Sequence, residues 1–205
     1  MQNFESELKK YQEKKKRTFE SIGMRVQDAR KNFTPTSERL TSWLSRGWIT
    51  EADYSRLSGK KFLSQGQVGK ILSKMEPQNF PHGARSTISN HERGIKLTVA
   101  ALNIYAKFYR VPVQLFFEDD LCGLEPASLI DEGKVRDYLF NHRKIFYKKL
   151  RNTSVYFDFD FSTIWRWFPP KETGRTSQVE SIPLGTYFLI AEVFGKKLSA
   201  LLFQN

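Results

Sequence analysis

Apolar residues recur at helical spacing near the start of the chain. The residues that lie near a period of 3.6 are Phe4, Leu8, Tyr11, Phe19 and Ile22. Lysines and one arginine occupy positions between them, so residues 1–21 are predicted to form an amphipathic, basic helix or arm. Its charged side is either a solvated face or a phosphate-contacting surface. A second helix, or a continuation of the first, is predicted over residues 22–30.

Residues 32–62 have the pattern of an insertion with short helices of its own. Thr34-Pro35 indicates a helix start, because proline is tolerated in the first turn, and Gly47 ends this helix. Thr50 and Asp53 are spaced as in a capping box, with Asp in place of the usual Glu. Gly59 is predicted to close the helix that follows.

Three more helices are predicted before residue 118. The first covers residues 63–72, with Val68, Ile71 and Leu72 facing inward. Residues 73–83 contain two prolines and are predicted to form a loop. A short polar helix follows over residues 85–91 and ends at Gly94. Thr98 then caps a strongly apolar helix that is interrupted at Pro112.

The second half of the chain is predicted to begin after a linker at residues 119–132. A helix is expected near residues 133–151 and an apolar helix over residues 184–194. Between them, Val155–Phe161 alternates apolar and polar side chains, which predicts a strand. The predicted domains are residues 22–118 and 133–205, and the predicted class is all-α.

The two halves contain similar segments. The similar pairs are residues 99–106 with 184–191 and residues 115–117 with 200–202, both at an offset of 85, and residues 86–88 with 162–164 at an offset of 76. Matches this short arise either by chance or by duplication. We interpret them as a duplication with a longer loop in the second copy.

Composition restricts the function classes. The chain has 33 Lys and Arg against 22 Asp and Glu, a formal charge of +11, which favours polyanionic partners. Its one cysteine, Cys122, excludes an internal disulfide and a Cys-based zinc site. No apolar run approaches the roughly 20 residues of a membrane span, and a reducing cytoplasm is the expected location.

No catalytic constellation is apparent in the sequence. His91-Glu92 lacks the second histidine that a zinc-protease helix requires, and no phosphate-binding glycine loop is present. Asp158 and Asp160 have no third carboxylate or lysine at a suggestive spacing, so a turn or helix cap is the preferred interpretation. We therefore predict a protein that is not an enzyme and has no cofactor.

Four motifs in order carry a resemblance to a known family. They are Ile22–Arg30 (IGMRVQDAR), Ser64–Val68 (SQGQV), Arg85–Gly94 (RSTISNHERG), and Leu102–Ala106 followed by Val111-Pro112. Together they resemble the phage-repressor (Cro-like, XRE) helix-turn-helix family. The resemblance implies a lambda-repressor-like helical bundle, here in two diverged copies, in which residues 85–91 form the recognition helix.

The resemblance and the residue types indicate a DNA-binding surface. The residues predicted to contact DNA are Ser64, Gln65, Arg85, Ser86, Thr87, Ser89, Asn90 and Arg93. Arg85 suits bidentate pairing with guanine and Asn90 with adenine, whereas Gln65 at a helix start suits a phosphate. Ile88 is expected to face inward. The resemblance implies that Glu92 anchors the helix to a neighbouring arginine.

The chain also departs from the family pattern. About thirty residues separate the first two motifs, and the loop before Arg85 is long, with Ala84 where a small polar cap is expected. In the second copy, Trp165, Trp167 and Phe168 replace polar residues. These aromatics either form a dimer or partner interface or fill their own core.

The main functional prediction is a sequence-specific transcriptional regulator, a repressor, that binds duplex DNA as a homodimer or as an intramolecular pseudo-dimer. One alternative is a mobile-element inhibitor or antitoxin that binds a protein or RNA and regulates its own promoter. A further alternative is an accessory protein of DNA replication or partition.

Overall fold

The computed structural model describes residues 2–81, 85–117, 129–153 and 182–203, with side chains from Phe4 onward. The helices of these ranges are α1 (Gln2–Asn32), α2 (Ser37–Ser45), α3 (Glu51–Leu57), α4 (Gln65–Met75), α5 (Arg85–Glu92), α6 (Val99–Tyr109), a 3-10 helix (Val113–Phe116), α7 (Glu132–Asn141), α8 (Arg143–Arg151), α9 (Leu184–Phe194) and α10 (Leu198–Leu202). No strand occurs in the described ranges, which confirms the all-α class for them. The strand predicted over Val155–Phe161 lies outside them.

The chain divides into two compact units. The central unit contains residues 19–95 and 107–111, and the flanking unit contains residues 1–18, 96–106 and 112–205. Helices α1 and α6 each pass from one unit into the other, so the boundaries after residues 18 and 106 lie within helices.

The structure decides one helix boundary that the sequence left open and places another differently from the prediction. Residues 22–30 continue the first helix, so α1 is a single helix of 31 residues. The helix predicted near residues 133–151 is instead two helices, because the backbone of His142 leaves the helical region at φ −103° and ψ 10°. The Nδ1 atom of His142 lies 2.8 Å from the carbonyl oxygen of Tyr138, which also accepts the backbone N–H of His142.

The insertion contributes α2 and α3 to the core of the central unit. Trp43 is 2% exposed and stacks on Phe108, with ring centroids 5.2 Å apart. The guanidinium of Arg39 lies over the rings of Phe33 and Trp43 and donates to the carbonyl of Phe108. Burial, and to a lesser extent the charge of Arg110, lowers the pKa of Arg39 to about 10. The insertion is therefore packed by its aromatic residues.

The helices of the insertion begin at capping threonines and are followed by glycines. Thr36, two residues after the predicted start, caps α2 by accepting from the backbone of Arg39. The capping box between Thr50 and Asp53 is present at the start of α3, as predicted. Gly47 and Gly59 follow α2 and α3 with φ of +70° and +76°.

Helices α4 and α5 match the predicted pattern of buried residues. Val68, Ile71 and Leu72 of α4 are each at most 2% exposed, and Ile88 of α5 is fully buried. The predicted loop starts later than expected, since α4 continues to Met75. The two helices pack against each other within the central unit.

Helices α6 and α9 have the same length, and both ends of α9 lie 85 residues after the corresponding ends of α6. Each is followed by a left-handed residue, Arg110 with φ +56° and Gly195 with φ +68°, and then by a short helix. Within the flanking unit, Thr98 and Pro183 form an isolated antiparallel bridge. These two residues are themselves 85 positions apart, so the bridge joins equivalent positions of the two segments.

Candidate nucleic-acid interface

Helix α5 has two chemically different sides. Ile88, His91 and Glu92 are buried, at spacings of three and four residues that place them on one side of a helix. His91 packs edge-on against Phe80, with ring centroids 5.9 Å apart. This side attaches α5 to the central unit and leaves the other side of the helix toward solvent.

The buried carboxylate of Glu92 pairs with Arg30 of α1. One oxygen lies 2.5 Å from Nε of Arg30 and the other 3.1 Å from Nη2, which makes the pair bidentate. The side chains of Arg30 and Glu92 are 8% and 2% exposed. An arginine anchor for Glu92, the role implied by the resemblance, is therefore present.

Further hydrogen bonds from two half-buried glutamines complete this polar cluster, which we call the Glu92 cluster (Gln27, Arg30, Gln65, Glu92). Nε2 of Gln65 donates to Glu92 at 2.7 Å, and Nε2 of Gln27 lies 3.4 Å from the same oxygen. Nη1 of Arg30 donates to the carbonyl of Leu63 at 2.9 Å. The cluster thus connects α1, α4 and α5, so that the ion pair is hydrogen-bonded on several sides.

The Glu92 cluster changes the titration of neighbouring groups. The hydrogen bond that Arg30 donates to Glu92 raises the pKa of Arg30, although burial acts in the opposite direction. Burial, reinforced by the negative charge of Glu92, raises the pKa of Tyr109 well above its usual value. Arg30 therefore stays charged and Tyr109 stays neutral across the physiological range.

Two glycines allow α1 to approach the end of α5 closely. A Cβ on Gly23 would lie 2.7 Å from the carbonyl oxygen of Glu92, which real structures do not tolerate. Gly94 ends α5 with φ +74°, as predicted, and a Cβ there would meet the backbone of Phe19 and Glu20. The contact between these segments is therefore made by backbone atoms.

The outward side of α5 and its end carry the predicted base-reading residues. Arg85, Ser86 and Arg93 are exposed, and Thr87, Ser89 and Asn90 are half-buried. Among the described residues, none of these six side chains forms a side-chain hydrogen bond or an ion pair, in contrast to Glu92. Their donors and acceptors are thus directed to solvent or to a ligand.

The structure gives Ser64 and Gln65 local roles at the start of α4. The Ser64 hydroxyl accepts from the backbone N–H of Gln67 at 3.3 Å, and Oε1 of Gln67 accepts from the N–H of Ser64 at 2.8 Å. This capping box was not predicted, although Ser-x-x-Gln is its sequence signature. Gln65, predicted to contact phosphate, uses its amide nitrogen in the Glu92 cluster.

The predicted residues of the first copy lie on adjacent elements of the central unit, on α5 and its end or at the start of α4. Trp165, Trp167 and Phe168, predicted for a dimer or partner interface, lie outside the described residues. Sequence reasoning did not single out Gln27 or identify Arg30 as the partner of Glu92. The only signal for the Arg30 pairing was that Arg30 lies on the side of α1 that otherwise carries buried apolar residues such as Val26.

Comparison with known proteins identifies no relative of this chain. No family model, curated protein or solved structure matches the chain. Among the described helices, none combines the length and apolar character needed to cross a membrane.

Proposed function

We propose that this protein is a sequence-specific DNA-binding regulator, a repressor, that reads the major groove with the outward side of α5. The observation that carries the proposal is the two-sidedness of this helix. Its inner side is held by Ile88 and the Glu92 cluster, whereas its outer polar side chains have no partner among the described residues.

The chemistry of the outer side suits base edges. A major groove about 12 Å wide admits a helix. Arg85 offers two donors to guanine, and Asn90 offers a donor and an acceptor to adenine. Serines at positions 86 and 89 are short enough to let the helix backbone approach the bases. Arg93 lies one residue beyond α5, and its guanidinium suits a phosphate.

A rigid attachment is the second requirement for base reading. Side chains that discriminate bases must be held within about 0.5 Å of their productive geometry. The Glu92 cluster supports such positioning, because it ties α5 to α1 and α4 by charge-assisted hydrogen bonds. By resemblance, this arrangement belongs to a lambda-repressor-like helix-turn-helix domain.

We propose an intramolecular pseudo-dimer as the form that binds DNA. Two observations support a duplicated unit with local two-fold character: α6 and α9 begin and end at positions 85 residues apart, and a bridge joins the equivalent residues Thr98 and Pro183. A 1:1 complex of monomer and duplex is then expected. A complex of two chains per duplex, measured by light scattering, would instead indicate the homodimer.

The test of the proposed function is a selection of bound sequences from a random duplex library at near-physiological salt, with wild type and with Arg85→Ala/Asn90→Ala. The proposal predicts a motif that the wild type recovers and the double variant loses. Recovery of no motif, with binding that fades steeply with salt, would contradict base reading. That result would favour the alternative of a protein or RNA partner.

A further inference from the structure

Helix α8 carries a dense, unopposed positive charge. Of its nine residues, five are Lys or Arg, and none is Asp or Glu. The four exposed cations are Lys144, Lys148, Lys149 and Arg151. Within the described residues, none of these four side chains forms an ion pair or a side-chain hydrogen bond.

The other basic helices differ from α8 in this respect. In α4, Lys70 pairs with Asp53 and Lys74 donates to the carbonyl of Gly47. In α1, the basic residues share the helix with acidic ones, among them Glu13 and Glu20, and Lys14 pairs with Glu192. Arg143, the fifth cation of α8, stacks on Phe140 and donates to its carbonyl, so it has a structural role. Among the described helices, only α8 combines four exposed cations with the absence of any acidic residue.

Helix stability does not explain this distribution. Cations in the last turn, such as Lys148 and Arg151, interact favourably with the negative end of the helix dipole. Lys144 lies in the first turn, where the dipole disfavours positive charge. Lys148 and Arg151 lie four and seven residues later on the same side of the helix and repel Lys144. A ligand that supplies negative charge removes both penalties.

We infer that the outward side of α8 is a sequence-independent contact surface for the phosphate backbone of duplex DNA. Lys144, Lys148 and Arg151 form a row about 10 Å long, given a rise of about 1.5 Å per residue. Such a row lies alongside successive phosphates of one strand. The inference rests on the proposed function, to which it adds a second contact surface in the flanking unit.

An anionic membrane is a weaker match to the same charges. An interfacial helix inserts a broad apolar side into the lipid. In α8 the apolar Phe146 and Leu150 are 4% and 1% exposed and face the protein core, which leaves Ile145 as the one large apolar side chain toward solvent. This composition suits a charged polymer better than a lipid surface.

The test compares the salt dependence of binding to a selected duplex and to a scrambled duplex. Lys144→Gln/Lys148→Gln is expected to reduce the slope of log affinity against log salt by about 2 on both duplexes, because each neutralised phosphate contributes about 0.9. Lys144→Arg/Lys148→Arg should keep the wild-type slope. Lys134→Gln/Lys197→Gln, two exposed lysines of the same unit, is the charge-matched control and should leave the slope almost unchanged.

The outcomes separate this inference from the proposed function. An unchanged slope for the α8 variant, or an equal loss in the control, overturns the α8 surface while sequence-specific binding stands. A wild type that binds neither duplex overturns both proposals. Vesicles of anionic lipid are the second probe, and a loss of vesicle binding without a change in the duplex slope would assign α8 to a membrane. Thermal unfolding of each variant verifies that it is folded.

Discussion

Glu92 and Arg30 are 62 residues apart in the chain and form a bidentate ion pair in the interior of the central unit. The pair determines how α5 is attached, because Glu92 is the last residue of that helix and Arg30 lies in the last turn of α1. A buried pair of this kind is costly to break, since removal of one partner leaves the other charge buried and uncompensated.

Glu92→Ala and Arg30→Ala are each expected to lower the free energy of unfolding by about 3–5 kcal/mol. Urea denaturation followed by circular dichroism measures this loss. The double variant should lose less than the sum of the single losses, because the two side chains interact directly. The control is Lys70→Ala, which breaks the pair of the exposed Lys70 with the half-buried Asp53 and should cost at most about 1 kcal/mol. Equal losses in Lys70→Ala and Glu92→Ala would contradict the role of the buried pair.

Gly94→Ala is expected to destabilise the fold more than Gly59→Ala. Both residues have positive φ, so both variants incur a backbone cost of about 1 kcal/mol. Only at position 94 does the new Cβ meet backbone, that of Phe19 and Glu20, whereas position 59 is open. The steric contribution should add about 1–3 kcal/mol. Thermal or urea unfolding of the two variants tests the difference, and matching losses would count against a close approach of α1 at Gly94.

Gly23→Ala and Gly66→Ala are expected to change stability in opposite directions. Both glycines are helical, and alanine is the better helix former by at most about 1 kcal/mol. No atom lies near the Cβ position of Gly66, so this variant should be slightly stabilised. A Cβ on Gly23 collides with the backbone of Glu92 and should displace α5. Stabilisation by Gly23→Ala would show that the two helices are not in contact there.

Asp53 is expected to make stability fall at acid pH. Chiefly its hydrogen bond with Lys70 lowers the pKa of Asp53 to about 2, below the usual value near 4. The contribution of this carboxylate is therefore complete above about pH 4 and is lost as the pH falls toward 2. The stability difference between wild type and Asp53→Asn should shrink over that interval. A difference that stays constant from pH 7 to pH 2 would contradict the assignment.

Sequence patterns predicted the elements whose signals are local. The capping box at Thr50, the end of α5 at Gly94 and the burial of Ile88 each depend on a few neighbouring residues, and each is present. The extent of the apolar helices α6 and α9 followed from the same periodicity. Such features are encoded within one or two helical turns.

Features that depend on long-range partners were not predictable in the same way. The hydrogen bond of Gln65 to Glu92 joins residues that are 27 positions apart. From the sequence alone, a glutamine at a helix start is equally compatible with a phosphate contact. The break at His142 is a change in the backbone angles of a single residue, which the periodicity of apolar residues does not reveal. The aromatic residues Trp43 and Phe108 stack across 65 positions, so the integration of the insertion was visible only in the structure.

Base reading by α5 is tested most directly by the ratio of affinities for a selected duplex and a scrambled duplex at one fixed salt concentration. Arg85→Ala/Asn90→Ala should lower this ratio at least about ten-fold, since each bidentate base contact contributes about 1–3 kcal/mol of discrimination. Arg56→Ala/Asn32→Ala removes the same two residue types from exposed positions elsewhere and should leave the ratio unchanged. An unchanged ratio for the α5 variant would contradict the proposal that this helix reads the sequence.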